Sequence, residues 1–341
     1  MTQVQSPPSP VAETIPPDHA LNQFQQTFTR ILARLHEVIV GQEHVVRYVT
    51  TAVFLQGHVL LEGVPGLGKT MLMSSLGQAL GLSTSRVQFT PDLMPADILG
   101  TRVLEQEEGG PVRFNFEKGP VFTQILLADE INRATPKTQS ALLEAMQEHK
   151  VTIAGVTHSL PEPFMVMATQ NPLEQEGTYP LPEAQLDRFL FKIIVRFPTE
   201  LELIEIIRRT SCGNGPPVLT RAVSSTEDIL ACSRMLRRIP VPSATLQYGA
   251  RLILSTHPQQ KLVEPKVANW IRYGASPRGL QAIIAAARLN AVMAGRTSVG
   301  RDDVNEVALP CLRHRVLLSF EAESEGVTSD QVVEEVIRRV H

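Results

Sequence analysis

The sequence predicts an α/β protein with a parallel sheet, continued by a separate helical region. Three observations carry this reading. Five short apolar segments, "HVLLEG", "RVQFT", "ILLADE", "FMVMATQ" and "FLFKIIV", have the unbroken hydropathy of strands buried on both faces. Helical stretches separate most of them, the rhythm of βαβ units. After "FPTE" at 197–200 such segments stop and the periodicity becomes helical. At 341 residues two domains are expected, and their extents read as 21–200 and 201–341 behind a tail at 1–20.

The tail holds five prolines and no apolar run behind basic residues, so it reads as a disordered segment of a cytoplasmic protein rather than a secretion signal. From Leu21 to Leu35 apolar residues return at helical intervals, and "VIVGQEHVVRYVTTAVFLQG" follows, with a glycine parting an apolar run from a second helix. Two intervals between strands read as hairpins instead of crossover helices. In "VLEQEEGGPVRFNF" a Gly-Gly-Pro turn precedes Val112, Phe114 and Phe116, which alternate with polar residues. In "HKVTIAGVTHSLPEPF" Val151 and Ile153 lead to a turn at Ala154-Gly155 and a return strand. Beyond the Gly/Pro-rich "SCGNGPPVL", helices are expected at about 226–238, 243–256, 278–294, 301–309 and 329–340, the last capped by Ser329.

An apolar fraction of 43% and a charged fraction of 20% are those of a globular protein, and no apolar run approaches the ~18 residues of a membrane span. The net charge of −3 provides no global basic field for nucleic acid. Cys212, Cys232 and Cys311 lie far apart, which suits neither a zinc site nor a disulfide framework; they read as buried or incidental thiols.

Between the first apolar segment and the helical run "MLMSSLGQAL" stands Gly63-Val64-Pro65-Gly66-Leu67-Gly68-Lys69-Thr70, a match to G-x-x-x-x-G-K-[ST] in the strand–helix context that motif demands. Its glycines let backbone N–H groups and the helix N-terminus, with Met71 in its first turn, close on phosphate oxygens. Lys69 reaches the β- and γ-phosphates of ATP and Thr70 ligates Mg²⁺. At the end of "ILLADE" Asp129 can hold the Mg²⁺ shell while Glu130 orients a water and takes its proton; the bland alternative is a charged pair that ends a strand. Asn171 ends another apolar strand and either meets the γ-phosphate or opens a turn before Pro172. Arg188, just before the fifth strand, and Arg278, on a helix tip behind Ser276 and Pro277, are suited to charge on a γ-phosphoryl group; either reads alternatively as a surface charge.

Taken together, "VIVGQE", "GHVLLEGVPGLGKT", "QFTPDLMPADILG", "GPVFTQILLADEINRATPKTQSALLEAMQE", "ATQNP", "YPLPEAQLDRF" and "SPRG" occur in the order of the MoxR-family AAA+ ATPases of the helix-2-insert clade, and the chain resembles that family over most of 37–341. The resemblance implies an AAA+ P-loop NTPase αβα core with a parallel five-stranded sheet, followed by an all-helical lid. It also implies ATP between core and lid at the edge of a neighbouring subunit, in a homo-oligomeric ring that is usually a hexamer. Lys69 and Thr70 then correspond to the Walker A pair, Asp129 and Glu130 to the Walker B pair, Asn171 to sensor 1, Arg188 to the arginine finger and Arg278 to sensor 2. Val40, Gly41 and Gln42 match the stretch near adenine, and the hairpins match inserts that line the pore or touch partners. Arg133 matches a position at the subunit interface, although a surface helix charge is the plainer reading.

Members of the family act with von Willebrand factor A domain proteins on clients that they mature, metallate or activate. The function expected is therefore Mg-dependent ATP hydrolysis that remodels a client protein. A nucleic-acid motor is the alternative, and it is disfavoured by an aromatic fraction of 5% and the acidic "EQEEGG" of the first hairpin. A scaffold that binds ATP without turnover is disfavoured by Glu130 and Arg188.

Overall fold

The structure is a computed structural model and describes residues 16–105, 113–172, 177–211, 219, 221–260 and 262–340. The chain opens with α1 (Asp18–Val38) and α2 (Glu43–Phe54). α1 buries the stripe Leu21, Phe24, Phe28, Ile31 and Leu35, and the Phe24 ring meets Phe54 edge-on at 5.3 Å. The helix begins inside the expected tail, because Asp18 places a carboxylate on the first turn and Pro17 precedes it, where a missing N–H costs nothing. The remainder of the expected tail, residues 1–15, lies outside the described residues.

The α/β part continues through β1 (Val59–Glu62), α3 (Lys69–Leu80), β2 (Thr84–Gln88), α4 (Pro95–Leu99), β3 (Gly100–Glu105), β4 (Arg113–Lys118), β5 (Ile125–Asp129) and α5 (Pro136–Glu148). It closes with β6 (Lys150–Ile153), β7 (Val156–Ser159), β8 (Met165–Gln170), α6 (Glu183–Leu186) and β9 (Phe191–Ile194). The five apolar segments form one parallel sheet ordered β2-β5-β8-β1-β9. Strand alternation divides the core in two: Val59, Leu61, Leu127 and Met167 pack with α1, α2 and α3, whereas Leu60, Leu126, Val166 and Ala168 pack on the α5 side. This is the expected αβα sandwich.

Both hairpins are present as antiparallel pairs, β3 with β4 and β6 with β7. Ala154 (φ 47°) and Gly155 (φ 81°) make the left-handed turn of the second. The Gly-Gly-Pro turn of the first, with Val112, lies outside the described residues. The hairpins meet where Phe116 stacks on His158 at 4.3 Å.

The C-terminal part is helical: α7 (Glu200–Ser211), α8 (Thr226–Arg237), α9 (Ser243–Ser255), α10 (Pro265–Trp270), then β10 (Ile271–Tyr273), α11 (Pro277–Met293), α12 (Arg301–Leu312), β11 (Leu317–Leu318), α13 (Phe320–Ser324) and α14 (Ser329–Arg339). Among the described residues it holds one short antiparallel pair, β10 with β11. Most of the link "SCGNGPPVL", with Cys212, lies outside the described residues, and Cys311 is buried. Two expectations are corrected. The cap of α14 is Thr328, not Ser329: Thr328 Oγ1 accepts the Gln331 N–H at 3.2 Å while Gln331 Oε1 accepts the Thr328 N–H at 2.8 Å. α12 runs past the proline at which it was expected to stop. Pro310 leaves the Glu306 carbonyl without its helical donor, and the Tyr48 hydroxyl donates to it at 3.1 Å. α12 thereby lies along β9, the edge strand of the sheet.

Beneath the sheet, His58 is buried. Its Nδ1 accepts the Val166 N–H and its Nε2 donates to the Met146 carbonyl, each at 3.0 Å. Burial lowers its pKa to about 4. The unfolded chain, with an ordinary histidine, therefore binds more protons between about pH 6.5 and 4, and acidification through that window favours unfolding. Denaturant titrations of wild type and His58→Gln should diverge there, with wild type losing up to about 1.4 kcal/mol more per pH unit. Parallel stability profiles would rule this contribution out.

Candidate active site

The loop from Gly63 to Gly68 joins β1 to α3. Gly66 (φ 84°) and Gly68 (φ 75°) are left-handed, and the space where a Gly66 side chain would stand is open for 4 Å. The loop's start is tied to the sheet, because Gly63 N–H donates to the Gln170 carbonyl at 3.2 Å and a side chain at Gly63 would strike Val195. Lys69 Nζ donates to the Gly63 carbonyl at 2.6 Å. Burial lowers the Lys69 pKa, and the Asp129 and Glu130 carboxylates oppose that shift.

A cavity of about 240 Å³ adjoins this loop, lined by Gly66, Leu67, Gly68 and Met71, by Val40 and Gln42, and by Phe197, Leu203 and Ile206. It is mostly apolar and of a size for a purine ring. Gln42 Nε2 donates to the Leu67 carbonyl at 3.3 Å, clasping the loop. Gly41 is not part of the wall; it faces the Glu202 carboxylate, which would collide with any side chain there. Val64, Pro65 and Thr70 also stand outside that wall, in the loop and the first turn beyond it.

The acids stand at the carboxyl end of β5, beside β2 and β8. Asp129 Oδ2 accepts from Arg86 and Oδ1 from Thr169 Oγ1, both at 2.7 Å. Glu130 sits at φ 56°, with its N–H on Thr169 Oγ1 at 2.8 Å. Its Oε2 accepts from Gln88 at 2.7 Å and from Arg133 at 3.0 Å. Arg133 ends the 3₁₀ turn Ile131–Arg133 with a side chain 42% exposed, and it pairs with Glu130. Asn171 follows β8 and is buried. Thr70 offers a hydroxyl and Asp129 a carboxylate, the hard oxygen donors that suit Mg²⁺ shared with substrate phosphates. Among the described residues no group of three His, Cys, Asp or Glu side chains stands together for a metal of another kind.

The two arginines stand elsewhere. Arg188 and Arg278 line one cleft of about 330 Å³ together with Asp187, His58, His149 and Arg315, and no residue of the phosphate loop lines it. Arg188 Nη1 donates to the Leu143 carbonyl at 2.5 Å, and Arg278 Nη1 is 4.0 Å from Asp187 Oδ2. Ser276 Oγ accepts the Arg278 N–H at 3.1 Å, as its capping role requires. The sequence brings the loop, the acids and Asn171 to one edge of the sheet as expected; it does not bring Arg278 to the loop of its own chain.

Sequence reasoning passed over Thr169, Gln88 and Arg86. Thr169 had a readable signal, a hydroxyl two residues before Asn171 in an otherwise apolar strand. Gln88 and Arg86 had none beyond their place on β2, since only the pairing of Gln88 with Asp129 brings them to the acids.

Residues 58–191 match the model of the ATPase family associated with various cellular activities (AAA), and 265–336 match that of the AAA lid domain. The chain is 45% identical over 314 residues to chaperone MoxR1 of Mycobacterium tuberculosis, covering 92% of this chain and 82% of the relative. It is 39% identical over 313 residues to YeaC of Bacillus subtilis, covering 91% and 93%. The crystal structure of a candidate ATPase from Cytophaga hutchinsonii superposes with a TM-score of 0.88 at 37% identity, over 95% of this chain and 97% of that one.

Thr169 is fully buried and serves both acids. Thr169→Val, equal in shape, leaves the Glu130 N–H and an Asp129 oxygen without that partner and should lower the unfolding free energy by about 1–3 kcal/mol. Thr169→Ser should restore most of it. Chemical denaturation checks both, and a Thr169→Val variant as stable as wild type would contradict this account.

Proposed function

We propose, for a chain that belongs to the MoxR family of AAA+ ATPases, that Mg-ATP is hydrolysed at sites completed by a neighbouring copy, and that the cycle remodels a client protein. The observation that supports a shared site is the polarity of the sheet. β9 runs parallel to β1, with Val59 beside Phe191 and Glu62 beside Ile194. The phosphate loop leaves the carboxyl end of β1, whereas Arg188 precedes the amino end of β9. The length of a four-residue strand, about 10 Å, separates the two ends before the connecting turn is added. An arginine so placed serves a second copy's phosphates better than its own.

Lys69 binds the β- and γ-phosphates, with the backbone of residues 63–68 wrapped round them and the purine in the cavity beside Val40, Gln42 and Met71. Thr70 and Asp129 hold Mg²⁺, which when bound neutralises charge on the phosphate oxygens. Glu130 exchanges the Gln88 and Arg133 donors for the attacking water and takes its proton, while Asn171 aligns that water or the γ-phosphate. Arg188 of the neighbouring copy, with Arg278 beside it, stabilises the charge that spreads over the γ-phosphoryl oxygens.

The expected assembly is a hexameric ring in the cytoplasm, acting with a von Willebrand factor A domain protein carried on another polypeptide. A protein client suits the chain better than nucleic acid, since its net charge is negative. Maturation and metal-cofactor insertion are the forms of remodelling this family reading covers. Among the described residues no helix is long and apolar enough to cross a membrane.

Glu130→Gln should retain ATP binding while lowering kcat by about 10²- to 10⁴-fold. Steady-state hydrolysis with a fluorescent-nucleotide binding assay measures both, and wild-type turnover in this variant would remove the mechanism. Arg188→Ala and Lys69→Ala should each be inactive alone, and mixing them should recover turnover, because some interfaces then pair an intact loop with an intact arginine. Recovery that never appears at any mixing ratio, with both proteins assembled, would count against sharing.

A further inference from the structure

Arg315 is 6% exposed and follows α12, at the junction of the helical part with the α/β part. All five of its guanidinium N–H groups have acceptors. Nε donates to Asp187 Oδ1 at 2.8 Å, Nη2 to the carbonyls of Asp187 at 3.0 Å and Phe189 at 2.6 Å, and Nη1 to the carbonyls of Leu190 at 3.4 Å and Cys311. Four of the five acceptors belong to 187–190, the segment that carries Arg188. The other oxygen of Asp187 accepts from Ser276 Oγ at 2.8 Å and faces Arg278 at 4.0 Å. Gly279, in the first turn of α11, leaves room for the Arg315 stem, whose Cδ would stand 3.2 Å from a side chain there.

We infer that Arg315 is a positioning residue: through Asp187 and the carbonyls on either side of Arg188 it fixes the aim of Arg188 and keeps Arg278 beside it, so that the helical part and both arginines move as one piece. A buried guanidinium is costly unless every donor is satisfied, and an apolar side chain would fill the same space without that cost. The fork geometry grips a turn from one side, which a lysine's single ammonium cannot do. This inference rests on the shared-site reading above and goes beyond it, because Arg315 itself touches no nucleotide in that reading.

The test uses the full chain. Arg315→Lys should lower kcat for Mg-ATP on the order of 10²-fold, as misplaced catalytic groups do, with nucleotide affinity near wild type and the protein still folded though less stable, since acceptors of the lost guanidinium go unpaired. The double variant with Arg188→Ala should fall no further than Arg188→Ala alone. Mixing Arg315→Lys with Lys69→Ala should recover turnover, which a merely unstable subunit would not. If Arg315→Lys does not fold, Asp187→Asn carries the same three measurements. Wild-type turnover in a folded Arg315→Lys, independent losses in the double variant, or a loss confined to nucleotide affinity would overturn the inference alone. Wild-type turnover in Arg188→Ala would overturn the shared-site reading and the inference with it.

Discussion

The parallel pairing of β1 with β8 on one side and β9 on the other decides where every polar group of interest stands. Parallel strands point the same way, so whatever follows a strand gathers at one rim of the sheet and whatever precedes it gathers at the other. The loop after β1, the acids after β5 and Asn171 after β8 share the first rim. His58 before β1 and Arg188 before β9 share the second. Because the inward residues of each strand are sealed into one of two apolar clusters, a one-residue slip would turn those clusters inside out, and the two rims are held in fixed relation.

At each rim the polar groups are organised by one hub, the buried Thr169 at the first and the half-buried Asp187 at the second. Thr169 receives one acid's backbone and donates to the other's side chain, and Asp187 receives Arg315, Ser276 and the field of Arg278. Part-buried hydrogen bonds of this kind are short-ranged and directional, and they are less screened than the exposed pairs elsewhere, such as Arg34 with Glu37. The arrangement couples the helical part to the α/β part through ionic contacts that lie beside the arginines instead of through apolar packing alone.

The sheet, the hairpins and the longer helices were legible because period-2 and period-3.6 hydropathy survive in the sequence, and the loop and acids because their residue types stand at strand ends. What escaped depends on contacts distant in sequence. Arg315 and Asp187 are separated by 128 positions and Gln88 and Glu130 by 42, and no local pattern connects them. The pairing of Arg133 with Glu130 was not legible because the tight turn after β5 has no periodicity to announce it. The brief α10, α13 and β10–β11 pair are too short to show a period, and Pro310 conceals the end of α12 because its effect is offset by a tyrosine far upstream.

Glu130 occupies a backbone conformation that side-chain-bearing residues adopt at a cost of order 1–3 kcal/mol. Glycine or asparagine would relax it there, so the position at which chemistry is proposed is also one where thermal robustness would improve if chemistry were abandoned. Random drift under selection for folding alone would erode this residue early, and laboratory screens for heat-tolerant forms of the chain will favour inert survivors unless turnover is scored at the same time.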